Sequence, residues 1–130
     1  MARVKPSENP EGQKVLICED RKKRQALFIA KYPYAIMVNN SRDCINQLRD
    51  NGPWDMVFLD HNLGRGDLGE DDNGDAITSW VKINRPRVRQ FIIHSTSAVE
   101  GLLMMWRLRK ESHYMADYVP FDKKTWVRDF

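Results

Sequence analysis

Three short strings hold the side chains best suited to chemistry: Glu19-Asp20, Leu59-Asp60-His61-Asn62-Leu63 and Ile93-His94-Ser95. Hard divalent cations take carboxylate oxygens, so Glu19, Asp20 and Asp60 are the expected ligands of Mg2+ or Mn2+. A neutral imidazole takes a proton from water or a hydroxyl, and an imidazolium gives one to a leaving oxygen. A reaction that takes up one proton and releases another needs both roles. His61 and His94, facing one phosphate beside Asp60, would fill them. Ser95 is expected to orient a phosphate oxygen. The amides near Thr96 and those at Asn73-Gly74 open helices, where free N–H groups cradle anions. The competing reading of the acids is a set of helix caps on a solvated sheet edge. His94 and Ser95 also alternate along a strand, which would turn one of them to the core.

These residues must be positioned by strands. Met56-Val57-Phe58-Leu59 and Phe91-Ile92-Ile93 are unbroken apolar runs closed by polar residues, the pattern of strands buried on both faces in a parallel sheet. The remaining elements alternate with them. Strands are expected at 14–18, 34–38, 55–60, 88–95 and 116–120. Helices are expected at 22–31 (Leu27, Phe28, Ala30 apolar), from Ser41 as N-cap to Asn51-Gly52-Pro53 (Cys44, Ile45, Leu48 on one face), and at 74–84 (Ala76, Ile77, Trp80, Val81 inward). A fourth runs over 98–112, with Val99, Leu102, Leu103 and Trp106 at helical spacing. Trp80 and Trp106 read as core; Met104-Met105-Trp106 leave open an adaptable partner surface. Asn62–Asn73, with Gly64, Gly66 and Gly69 among four acids, reads as an irregular, functional loop without the spacing of a calcium-binding loop. Residues 1–12 read as a flexible arm, 13–130 as one domain, and Phe121–Phe130 as room for only a reduced fifth helix.

Strands alternating with helices imply right-handed crossovers and a three-layer α/β/α domain. Five parallel strands favour the flavodoxin-like order 2-1-3-4-5, which sets strands one, three and four side by side. Their carboxyl ends then share one ligand-binding edge.

Composition narrows the functional classes. The 130 residues suffice for one core without staples. No apolar stretch approaches the ~20 residues of a membrane span. The start of the chain lacks the apolar core of a signal peptide. The expected compartment is the cytoplasm, with no membrane partner. Cys18 and Cys44 lack metal-ligand spacing and read as buried free thiols; His113 reads as surface. The net charge of +3 is spread along the chain rather than gathered in the stripe of a duplex-DNA binder. It suits a small phosphate-bearing ligand.

Over residues 14 to about 121 the chain resembles a response-regulator receiver domain. Glu19-Asp20 match the receiver's acidic pair, Asp60 its phosphoacceptor and Ser95 its hydroxyl position. The Lys-Pro expected after the fifth strand is missing from Tyr118-Val119-Pro120-Phe121-Asp122-Lys123, where Lys123 or Lys124 could substitute only if the loop bends back. A narrower resemblance is to the cyclic-phosphate-processing receiver-like family, through Leu-Asp-His-Asn-Leu-Gly (59–64), Asn73-Gly74 and Ile-His-Ser (93–95). Asn62 stands where that family usually has an acid; it keeps the oxygen ligand without the charge. Ser97-Ala98 replace an Asn-Pro. The resemblance implies a phosphoesterase-like enzyme, a metal-assisted hydrolase acting on a cyclic phosphate, a nucleotide or single-stranded RNA ends. The alternatives are a degenerate receiver that binds a nucleotide or protein as a regulatory module, and an Asp60 phosphoacceptor.

Overall fold

The computed structural model describes residues 12–65 and 71–120. The expected arm over 1–12, except Gly12, and the reduced helix from Phe121 lie outside the described residues. In chain order the elements are β1 (Val15–Cys18), α1 (Lys22–Lys31), β2 (Ile36–Val38), α2 (Ser41–Asp50), β3 (Trp54–Leu59), β4 (Asn62–Arg65), β5 (Asp71–Asn73), α3 (Gly74–Asn84), β6 (Val88–Ile93), α4 (Ala98–Trp106) and β7 (Met115–Tyr118). A π-helical turn, Arg107–Glu111, follows α4.

β1, β2, β3, β6 and β7 form one parallel sheet in the order β2-β1-β3-β6-β7. This is the 2-1-3-4-5 order expected from the alternation of elements. The apolar runs explain why β1, β3 and β6 are central: Val15 to Cys18, Val57 to Leu59 and Phe91 to Ile93 are all buried. Period-two alternation sends them to two cores. Leu16, Cys18, Val57, Leu59, Phe91 and Ile93 pack with Cys44 and Leu48 of α2, Ile77 and Val81 of α3 and Met104 of α4. Val15, Ile17, Phe58 and Ile92 pack with Phe28 of α1, Tyr32 and Tyr34. Register pairs Cys18 with Leu59 and Leu59 with Ile93. The residues just past these three strand ends are therefore neighbours.

Three expectations are corrected. The segment after β3 is not wholly irregular: β4 and β5 pair antiparallel, with Asn62 opposite Asn73. Asp72 fastens this hairpin to α2, accepting from the amide (2.8 Å) and hydroxyl (2.5 Å) of Ser41. Ser41 is thus the first helical residue, and Asn40 is the N-cap, its side chain accepting from the Asp43 amide. On α4, Val99, Leu102, Leu103 and Trp106 are exposed, Trp106 by 51%. The inward residues there are Gly101 and Met104, followed by Leu108 in the π-helical turn.

Candidate functional site

Glu19, Asp60 and His94 leave β1, β3 and β6 at the same end of the sheet, and each is buried. One ligand atom from each lies within 4.8 Å of the others. Strand alternation continues past the strand ends. The His94 amide still pairs with the Leu59 carbonyl at 2.9 Å. His94 points toward α1, where its ring packs edge-on against Phe28 at 4.9 Å between centroids. Its Nε2 is 3.3 Å from Glu19 Oε1. The other Glu19 oxygen accepts from the Arg21 amide at 3.0 Å, and the Glu19 carbonyl accepts from Gln25. Glu19 thus helps order the start of α1, whose N-cap, Arg21, has no side-chain cap of its own. The expected capping role and the clustered acid coexist in one residue.

Burial raises the affinity of each acid for a proton, and its neighbours decide the outcome. Burial pushes Glu19 up, but His94, the Arg21 amide and the Arg24 charge outweigh it and hold the carboxyl below its usual range. Asp60 is pushed up, first by burial and then by the Glu19 charge, against the pull of His94 and Arg24. Asp20 is also raised, by burial and by Glu19. Glu19 Oε1 and Asp20 Oδ1 are buried without a well-aligned hydrogen bond among the described residues. Buried acceptors with only long or poorly aligned partners are costly, and a divalent cation would satisfy them better. Asp20 also faces the hairpin: a side chain at Gly64, whose φ is +77°, would come within 3.2 Å of Asp20 Oδ2. Of the expected ligands, Glu19 and Asp60 converge with His94 as the third member, a donor set that could hold a divalent cation; Asp20 is not among the three, although the Glu19 charge acts on its carboxyl.

Two neighbours of this cluster escaped the sequence reading. Arg24 Nη1 stands 3.5 Å from Asp60 and 3.7 Å from Glu19. Phe28 forms the apolar wall against His94. Arg24 had a legible signal: it lies in the first turn of α1, and side chains there lean back toward the helix N-terminus, over the strand ends.

His61 takes the opposite face. Its Nε2 is 3.2 Å from Asp75 of α3 and its Nδ1 is 2.7 Å from Glu100 of α4. Asp75 also pairs with Arg107 at 3.1 Å. The two imidazoles expected to face one phosphate thus leave adjacent strand ends toward opposite sides of the sheet. Ser95 is buried beside them. Its hydroxyl accepts from the Ser97 amide, and its carbonyl accepts from the Tyr118 hydroxyl. Thr96 and Asn62 are exposed. The Gly74 amide donates to the His61 carbonyl at 2.7 Å, and a Cβ there would meet Met104 and the Asp60 carbonyl. That glycine lets α3 and α4 close on β3.

The family described as the cyclic-phosphate processing receiver domain matches residues 14–110. No curated protein matches the chain. Three solved structures share the fold. A fusion carrying the trimeric coiled-coil segment of yeast Spc42 has a TM-score of 0.58 at 16% identity, over 88% of this chain and 70% of its own. The MaeR response regulator bound to beryllium trifluoride has a TM-score of 0.52 at 17% identity, over 86% and 88%. The complex of the CheA3 P1 domain with CheY6 from R. sphaeroides has a TM-score of 0.50 at 20% identity, over 85% and 84%. No helix among the described residues is long and apolar enough to cross a membrane.

Proposed function

This chain belongs to the family of cyclic-phosphate processing receiver domains, and from that premise we propose that it hydrolyses a cyclic phosphate with a divalent cation at Glu19, Asp20 and Asp60. The observation that carries this reading is the buried convergence of Glu19, Asp60 and His94 at the sheet edge. Mg2+ or Mn2+ held by these carboxylates would supply positive charge to a phosphoryl oxygen. His94 orients Glu19 from below, backed by Phe28. His61, its side chain 9% exposed between two carboxylates, exchanges the proton at the rim. Water forms the new bond to phosphorus, one ring P–O bond breaks, and the proton passes to the leaving oxygen. Ser95 shapes the turn into α4 through its bond to the Ser97 amide, which leaves the Thr96 region exposed to the ligand.

The test is a panel of 2′,3′-cyclic nucleotides, 3′,5′-cyclic nucleotides, cyclic oligonucleotides and RNA ends bearing a cyclic phosphate, each with Mg2+ and with Mn2+. Turnover by the wild type that is lost in Asp60→Asn and in the His61→Ala/His94→Ala double variant is expected. Turnover that survives Asp60→Asn, or no turnover on any substrate, overturns the reading.

The second reading is a regulatory receiver in which Asp60 accepts a phosphoryl group. The fold likeness to a response regulator bound to beryllium trifluoride favours it. Tyr118-Val119-Pro120, where receivers carry Lys-Pro, weighs against it. Beryllofluoride separates the two: tight Mg2+-dependent binding without turnover selects the regulatory receiver.

A further inference from the structure

Arg24 is a cation already inside the proposed metal site. Its guanidinium reaches back from the first turn of α1, its side chain is 11% exposed, and one nitrogen, Nη1, faces Asp60 Oδ2 and Glu19 Oε1 at once. The distances of 3.5 and 3.7 Å are long. A guanidinium seated on a carboxylate makes two parallel bonds at about 2.7–2.9 Å. Arg24 therefore shares its charge between two acids and makes the short paired geometry with neither.

A divalent cation that takes the same oxygens, Asp60 Oδ2 and Glu19 Oε1, competes with Arg24 for them. Like charges a few ångströms apart in a poorly solvated site repel strongly. The planar fork of an arginine is suited to a phosphate, which it binds through two donors. We propose that Arg24 is the second cation of this site: it supplies the counter-charge of Asp60 and Glu19 in the metal-free protein and turns to a phosphate oxygen of the ligand once a divalent cation takes those carboxylates. The proposal rests on the metal reading above and goes beyond it by naming the group that competes with the cation and receives the phosphate.

The two halves make predictions of opposite sign, which a merely structural arginine does not. Binding of Mn2+ to the metal-stripped protein, and of inorganic phosphate to the Mn2+-saturated protein, is measured by calorimetry for wild type, Arg24→Gln, Arg24→Met and Arg24→Lys. Melting in chelator shows which variants are folded. The neutral variants are expected to bind Mn2+ about 10-fold tighter, as for a typical coupling between two sites. They are expected to bind phosphate about 10-fold more weakly, the loss of one charged hydrogen bond. Arg24→Lys keeps the charge and is expected to stay near wild type for Mn2+. If wild type binds Mn2+ and the neutral variants bind it no tighter, or bind phosphate no more weakly, the role of Arg24 is overturned while the metal reading stands. If no protein binds Mn2+, the metal reading is overturned, and the Arg24 proposal with it.

Discussion

His94 and His61 leave neighbouring strand ends, yet they sit in different chemical surroundings. His94 is fully buried, with Phe28 and Phe58 around its ring and the Glu19 carboxylate at its edge. His61 has two carboxylates that are close to half exposed, Asp75 at 43% and Glu100 at 46%, one at each nitrogen. The difference follows from one residue of offset. Asp60 and His94 continue the face of Phe58 and Ile92 toward α1, whereas His61 and Ser95 continue the face of Leu59 and Ile93 toward α3 and α4. A single sheet edge thereby carries a dry, acid-rich centre on one side and a solvated ionic rim on the other. Charges cost more to leave unmatched in the first and are screened in the second.

The largest effect should come from the acids of the dry centre. Asp60→Asn removes one of the three carboxylates, and all Mn2+-dependent turnover should vanish. The same variant should melt at higher temperature than wild type when both are held in chelator at neutral pH. Burial lifts the Asp60 pKa in the folded protein, so the folded state binds more protons than the unfolded chain between the two values. Stability then falls as pH rises through that window. The advantage of the asparagine should therefore close below the unfolded value of about 3.9. Glu19 runs the other way. Its pKa is held down, so it contributes stability above the unfolded value that is lost as pH falls, and Glu19→Gln should melt lower at neutral pH. If the two variants shift the melt in the same direction, the opposed roles assigned to these acids are wrong.

His94→Ala comes next. Truncating a fully buried ring that packs on Phe28 should cost about 3 kcal/mol by denaturant unfolding, the lower end of ring truncations in cores. A cost under 1 kcal/mol would mean that the ring does not fill the wall between the acids and α1.

How much of this was legible depended on which physical signal each residue carries. The central strands were readable because strands buried on both faces need unbroken apolar runs, which Met56–Leu59 and Phe91–Ile93 supply. The convergence of Glu19, Asp60 and His94 followed from strand order alone. The orientation of the histidines was half legible: alternation of His94 with Ser95 raised the question, but the burial of both residues and the opposite facing of His61 required the packed helices. On α4 the signal misled. Val99, Leu102, Leu103 and Trp106 form the periodic apolar stripe, yet a glycine lies on the inward side. A Cβ at Gly101 would come within 2.4 Å of the Tyr118 ring, so the close approach of β7 selects a residue that hydrophobicity does not mark. The β4–β5 hairpin was invisible for a similar reason: its pairing joins Asn62 to Asn73 and Arg65 to Asp71, with no apolar alternation to read. Arg24 carries no motif of its own; only its place in the first turn of α1 aims it at the acids.

Gly74→Ala tests the seam between the two sides. Its Cβ would lie 2.7 Å from the Asp60 carbonyl and 2.4 Å from Met104 Cε. The methionine end can move, but the backbone carbonyl cannot without shifting the acid it carries. A loss of about 2 kcal/mol is expected from overpacking, together with weaker Mn2+ binding as Asp60 is displaced. A stable variant with unchanged Mn2+ affinity would show that the seam does not couple α3 to the acids.

His61→Ala should have the smallest effect on stability, and it is the sharpest test of the contrast with His94. Both of its carboxylate partners are close to half exposed and water can replace the ring beside them, so a smaller cost than for His94→Ala is expected. Removing the imidazole also leaves Asp75 with Arg107 at 3.1 Å, so that carboxylate keeps a partner. Turnover should nevertheless fall, because the rim imidazole exchanges the proton in the proposed reaction, by roughly the 100-fold that a positioned acid–base group contributes. A protein that keeps its stability and loses its rate marks His61 as the group facing the ligand and His94 as the one holding the acids in place. A protein that loses stability as steeply as His94→Ala would erase the distinction between the two sides of the edge.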